Sequence, residues 1–173
     1  MFRPMRRIAQ QISTGECAGV LKSASTGVLG LIGDDGYPYT VPLNFVYAPD
    51  DNGGYGTIGF HCAREGHKLD AIRRNGKVSF TVIDRDEVMP KERTTKYRSV
   101  IAFGRARIIE DEAELRTAAN ALGAKYSAGY EALYLAETEE TIRKGTLACV
   151  EITIEHLTGK IGRVLLAERQ REG

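Results

Sequence analysis

Tryptophan is absent from this chain, cysteine occurs only as Cys17, Cys62 and Cys149, and no apolar run is long enough for a membrane span. An odd number of widely spaced cysteines makes no disulfide framework, and reduced thiols suit a cytoplasmic location. Without a long apolar run a transmembrane helix is excluded. An excess of charge is lacking too: 24 Lys and Arg face 23 Asp and Glu, for a formal charge of +1. That balance offers no footprint for nucleic acid or an anionic membrane surface. Arg3, Arg6 and Arg7 are not followed by an apolar stretch, so they do not open a secretory signal.

What is present suits one domain over residues 1–173, with an N-terminal arm at 1–12 and a C-terminal tail at 160–173. The 42% hydrophobic content is enough for a full core, and 19 glycines with 8 tyrosines point to turn-rich β-structure. Ser13 and Glu16 form a capping-box pattern, which predicts a helix over about 14–24. Gly27–Ile32 reads as a strand, and Asp34-Asp35-Gly36 as a hairpin turn. The next strand alternates most cleanly: Tyr37, Tyr39, Val41, Leu43, Phe45 and Tyr47 share one face, and Pro38, Thr40, Pro42 and Asn44 the other. Pro38 and Pro42 lack N–H groups on the same side, so this strand is an edge or an open lip.

Tyr55–Cys62 is a further strand and 65–74 a helix with Leu69 and Ile72 inward. Val78, Phe80 and Val82 alternate in another strand. Residues 84–96 read as a polar loop, a candidate lid or subunit contact. Tyr97–Ile109 is a long strand with Gly104 at a bend or bulge. Asp111 and Glu114 open a helix with Leu115, Ala118, Ala119 and Leu122 inward. Residues 127–145 stay ambiguous, partly helical, before a closing strand at Leu147–His156. The sum is a mainly β, α+β fold: a six-stranded antiparallel barrel with peripheral helices.

The stretch Phe60-His61-Cys62-Ala63-Arg64-Glu65-Gly66-His67-Lys68 runs from strand to helix and places Lys68 in the first helical turn. A cation is the wrong sign for that end of a helix, and a bound phosphate reconciles the two by accepting from both backbone N–H groups and the lysine. A solvated surface lysine is the alternative. His67 is either a second donor or a surface histidine. His61, opposite Ile58 and Phe60, suits proton delivery or simple hydrogen bonding, since an imidazole titrates near neutrality. Cys62 reads as a small core residue rather than a nucleophile. His61, Cys62 and His67 match no zinc spacing, so no metal site is expected. Asn44 is a turn-side polar residue or a ligand contact.

Three motifs in order carry a resemblance: Gly36-Tyr37-Pro38-Tyr39 with Pro42-Leu43-Asn44-Phe45, the His61 to Lys68 turn, and Tyr97-Arg98-Ser99-Val100 to Gly104-Arg105-Ala106. Over most of residues 5–160 the chain resembles the pyridoxamine 5′-phosphate oxidase-like, FMN-binding split-barrel superfamily, and within it the nitroimidazole-resistance (Nim-type) branch. The resemblance implies a six-stranded split barrel that forms a homodimer with FMN at the interface. It implies that Pro42, Leu43, Asn44 and Phe45 run beside the flavin ring, that His61, Cys62 and Ala63 border the ring or ribityl chain, and that Gly66, His67 and Lys68 hold the phosphate. Ser99 is expected to come from the partner subunit. The implied activity is that of an FMN-dependent oxidoreductase drawing on an electron donor to reduce a nitroaromatic or other small planar substrate; His61, from its own chemistry, is the candidate proton donor. The alternative is a non-catalytic dimer of the same fold holding flavin, haem or a deazaflavin. True pyridoxamine-phosphate oxidases carry Ser-Arg-Lys where this chain has Gly66-His67-Lys68, so vitamin B6 oxidation is not implied.

Overall fold

The computed structural model describes residues 2–172. Met1 and Gly173, the outermost residues of the expected arm and tail, lie outside the described residues. Among the described residues there are eight strands and five α-helices. In chain order these are β1 (Gln11–Ile12), α1 (Thr14–Ser23), β2 (Thr26–Ile32), β3 (Pro38–Asn44), β4 (Val46–Ala48), β5 (Thr57–Ala63) and α2 (His67–Arg74). They continue with β6 (Lys77–Met89), β7 (Thr94–Ile108), α3 (Glu112–Tyr126), α4 (Glu131–Arg143), β8 (Leu147–Ile161) and α5 (Arg163–Glu172).

All pairings are antiparallel, in the order β3-β2-β6-β7-β8-β5-β4, with β1 on β8. The six expected strands are all there. The count rises to eight because β1 adds a two-residue pairing and the long strand after the first hairpin breaks at Phe45 into β3 and β4. The hairpin turn holds two successive residues at positive φ, Asp35 at 54° and Gly36 at 78°, which only short polar residues and glycine adopt cheaply. The capping box of α1 forms as its residues predict. Inside the barrel Leu29, Phe45, Ile58, Phe60, Phe80, Val100 and Ile152 are almost fully buried, and Phe45 meets Phe80 edge-on at 4.9 Å.

Two expectations are corrected. Residues 84–96 are not a loop: β6 and β7 run on as a two-stranded ribbon, paired as far as Met89 and Thr94 beyond a bulge between Ile83 and Arg85. The ribbon leans on α5 through polar contacts such as the Lys96–Glu168 ion pair and not through an apolar face, so it shows no apolar alternation and its charged residues hid it. The C-terminal tail expected from 160 is regular structure as far as residue 172. β8 continues to Ile161, bulged against β7 at Gly104, and α5 follows, with Leu165 and Leu166 packed on the core.

The break at Phe45 is where the sheet fails to close. β4 pairs with β5 as Val46↔Gly59 and Tyr47↔Ile58, and this register, if continued, would set Asn44 against His61. Asn44 instead pairs with Thr26 on β2, so β3 and β5 diverge and a split opens between them. The C-terminal end of α3 satisfies the freed backbone groups. The Tyr126 hydroxyl accepts from the Phe45 N–H at 3.0 Å, and its one proton is shared between the Phe45 and Ser25 carbonyls. Lys125 Nζ donates to the carbonyls of Ala24 at 2.6 Å and Phe45 at 2.9 Å, above the Phe45 ring. Burial holds that ammonium below the ordinary lysine range.

Replacing Tyr126 by Phe is expected to orphan the Phe45 N–H, lowering stability by about 1–3 kcal/mol and speeding exchange of that amide selectively. Unchanged exchange at Phe45 in native-state hydrogen-exchange NMR would show that the hydroxyl does not hold the seam.

Candidate functional site

The two lips of the split carry most of the residues that the sequence singles out. On the β3 lip, Pro42 and Asn44 point outward, whereas Leu43 is half-buried against the core and Phe45 is fully buried. Leu43 and Phe45 therefore border the split through their backbone only. The Asn44 amide donates to the Ser25 carbonyl at 2.9 Å. On the β5 lip, His61 and Ala63 face outward and Cys62 inward against the core. Asn44 and His61 line one cavity of about 280 Å³ over the split, as their interrupted register requires.

The roof of this cavity comes from α3 and α4, through Leu122, Gly123, Tyr126, Tyr134 and Glu137 among others. Sequence reasoning missed these residues. The apolar stripe of α3 was visible, but α4 buries only Thr138, so its pattern carries little helical periodicity. The signal that could have found it is Gly123: a side chain there would meet the Tyr134 ring at 2.4 Å, so the two helices need a glycine at their crossing.

The β5 lip leads into the N-terminus of α2. Gly66 is the N-cap with φ at 135°, a conformation open to glycine, and no side chain caps the helix. The first bonds to the Gly66 carbonyl come from Leu69 and Asp70, which leaves the His67 and Lys68 amides without a helical acceptor. The His67 ring stacks on Tyr39 at 4.1 Å, and its Nε2 lies 3.3 Å from Asp34, which also binds Arg74 at 2.7 Å. The imidazole thus ties α2 to the β2–β3 turn and is not turned toward an anion. Lys68 is half-buried and has no ion pair among the described residues. Its charge reaches the Cys62 thiol, where burial outweighs it and pushes the thiol up.

Ser99 stands apart from these residues within one chain. It lies on β7 between Ile83 and Lys160, on the outward face shared with Ile101 and Phe103. Among the described residues, no cluster of His, Cys, Asp and Glu is arranged to hold a metal ion, and no helix is long and apolar enough to cross a membrane.

Comparison with known proteins adds a lineage to this geometry. The sequence profile of a family described as pyridoxamine 5′-phosphate oxidase matches residues 13–161. Among solved structures, a conserved hypothetical protein from Mycobacterium tuberculosis is 25% identical, with a TM-score of 0.74 over 94% of this chain and 92% of its own. A candidate 5-nitroimidazole antibiotic resistance protein from Bacteroides thetaiotaomicron is 22% identical, with a TM-score of 0.66 over 87% of this chain and 86% of its own. An FAD-binding protein from Mesorhizobium loti is 24% identical, with a TM-score of 0.62 over 88% of this chain and 97% of its own. Among curated proteins, none matches.

The thiols near and beneath the site are expected to be unreactive. Burial pushes Cys149 up to about 12 and Cys17 up to about 11, and raises Cys62 as well. Iodoacetamide should label none of the three rapidly in the native protein, with Cys62, the least buried, first by mass spectrometry. Raised thiol values in the fold also mean that stability is full below the ordinary value of 9.0 and declines as pH climbs above it. Fast labelling of Cys62 near neutrality would restore it as a nucleophile.

Proposed function

Because the chain belongs to the pyridoxamine 5′-phosphate oxidase family, we propose that it binds FMN in the split between β3 and β5 and acts as an oxidoreductase on a small planar acceptor. The observation that carries this reading is the uncapped N-terminus of α2, with Lys68 beside it and unpaired among the described residues, at the end of a lip lined by His61 and Ala63. Free amides and a lysine without a counterion suit a phosphate monoester, because each donor gains a charge-assisted partner. A phosphate that ends the ligand there favours FMN; the FAD-binding neighbour supports a flavin in general.

A bound flavin supplies the hydride and single-electron chemistry. This chain's residues perform the rest. The amides of His67 and Lys68, with the Lys68 ammonium, would hold the phosphate; His67 steadies α2 through Tyr39 and Asp34. Pro42 and Asn44 border one side of the ring site, and the α3–α4 roof excludes water. His61 has no hydrogen-bond partner among the described residues, so its ring nitrogen is available to give a proton to an acceptor in the cavity. The resistance-protein neighbour supports a nitroaromatic as the acceptor class.

A homodimer is part of the same reading. The α3–α4 hairpin covers the outer face of the barrel at β5 and β8, through the Ile109, Leu115, Ala119 and Cys149 cluster. The outer face of β2, β6 and β7 is less covered: Val28, Ile32, Ile83 and Ile101 stand exposed there beside Ser99, while Phe2 packs on Phe103 at 5.3 Å between rings. A second copy is the natural cover for a face of this kind, and it would bring its Ser99 toward the site.

Purified protein is expected to be yellow and to release FMN, not FAD, on denaturation, by chromatography with mass detection. Lys68→Ala should weaken FMN binding about tenfold or more while leaving the circular dichroism spectrum unchanged. Unaltered affinity would remove the phosphate assignment, and a haem spectrum would redirect the cofactor. Anaerobically photoreduced protein should be reoxidised by a nitroimidazole; no reoxidation counts against the reductase. Ile101→Glu is expected to convert the dimer to monomers in sedimentation analysis, and a wild-type monomer would end the interface proposal.

A further inference from the structure

α5 docks on the rest of the chain with little apolar anchorage. It follows β8 directly: the Gly162 N–H donates to the Tyr97 carbonyl at 2.7 Å, and the Leu166 N–H reaches back to the Gly162 carbonyl at 2.9 Å. Val164 to Glu168 are half-buried, and none of the described side chains of α5 is fully covered. Leu165 and Leu166 touch the core, but the helix also stands over a cavity of about 360 Å³. A helix of ten residues is marginal in water by itself, so α5 keeps its shape only while docked.

Charge supplies much of that docking. Lys96, on the ribbon part of β7, lies 2.7 Å from Glu168, and only 14% of its side chain is exposed. Glu87, opposite it in the ladder, approaches the same ammonium at 3.9 Å and pairs with Arg85 at 3.2 Å. Lys96 in turn holds the Glu168 carboxyl below the ordinary carboxylate range. On the other side Arg169 binds Glu16, whose second carboxylate oxygen closes the capping box of α1. Two adjacent residues of α5 thus pin it to two separate elements, Glu168 to the ribbon and Arg169 to α1. Between the pins the cavity is walled by Glu16, Arg85 and Arg98, with Ile161 and Leu165 as its apolar part. Charged groups regain water when such a wall opens, so parting it costs less than parting a dry core.

We propose that α5 is a salt-released latch: it docks across the ribbon and α1 largely through charge, and leaves both as one unit, opening the cavity while the barrel stays folded. The ribbon grows from the strands that carry Ile83 and Ser99. The latch therefore sets how firmly the ribbon is held beside the face assigned above to a second copy, although the latch itself does not depend on that reading.

Native-state hydrogen exchange of the whole chain tests it. Between about 0.1 M and about 1 M NaCl the Debye length falls from about 10 Å to about 3 Å, so the amides of α5 should exchange roughly three- to tenfold faster while those of β2 and β5 hold their rates. Glu168→Gln combined with Arg169→Gln is expected to loosen α5 already at low salt and to abolish the salt response. Leu165→Ala should loosen α5 too but keep that response, because the ion pairs remain. Exchange of α5 only in step with β5, a salt response that the glutamine variant retains, or a barrel that unfolds with Leu165→Ala would each overturn the latch.

Discussion

The backbone at Phe45 is the constraint from which the rest follows. A β-ladder that runs on pairs every N–H and C=O; one that splits strands several of them, and buried unpaired groups are costly. Here β3 leaves β5 after Phe45, and the side chains of Lys125 and Tyr126 take over the hydrogen bonds that a neighbouring strand would have made. The opening between the lips is therefore a satisfied structure rather than a defect. It also locates α3, because the helix must end over the seam for its last residues to reach Phe45. With α3 fixed there, α4 packs alongside and completes the roof. Cavity and seam are two results of one break in pairing.

A second division of labour operates at α2. Helix N-termini attract anions, yet a helix that moved would aim its amides poorly. Asp34, from the turn between β2 and β3, binds both His67 and Arg74 and so holds the helix at its two ends. His67 adds its stack on Tyr39. The motif residue that looked like a second phosphate donor thus supplies rigidity, and its backbone amide is what it would offer an anion. Gly66 completes the arrangement by turning the chain without a side chain that would cap the helix and compete for its amides.

Much of this was legible in the residues. The alternation of Tyr39, Val41, Leu43 and Phe45 against Pro38, Thr40, Pro42 and Asn44 is a two-residue period with a buried face, and the two prolines marked the edge. The capping box at Ser13 and the glycine bulge at Gly104 follow from local chemistry that needs no tertiary context. What stayed hidden depends on partners far along the chain. The break at Phe45 cannot be read locally, because Phe45 continues the apolar face without interruption; only Tyr126, 81 positions away, reveals it. The ribbon at 84–96 and the weakly buried α4 lack periodicity, since neither buries a continuous face. Hence Asn44 and His61, which line the cavity, were singled out by the sequence, and its roof was not.

The distribution of ion pairs around α2 sharpens the case for an anion there. Arg73 and Arg74, in the last turn of α2, are neutralised by Asp70 and Asp34. Lys68, one turn earlier, and Arg64, just before the helix, have no acidic partner among the described residues. Nothing about helix stability asks for this order: a cation is favourable at the C-terminal end and unfavourable at the N-terminal end. An acid set to pair with Lys68 would cure the mismatch, yet Asp70 and Asp34 pair with arginines that the dipole already favours. A positive pair left unneutralised at the positive end of a helix is unfavourable by itself and would become favourable with a phosphate beside it. An anion bound at this turn would draw its affinity from the same residues.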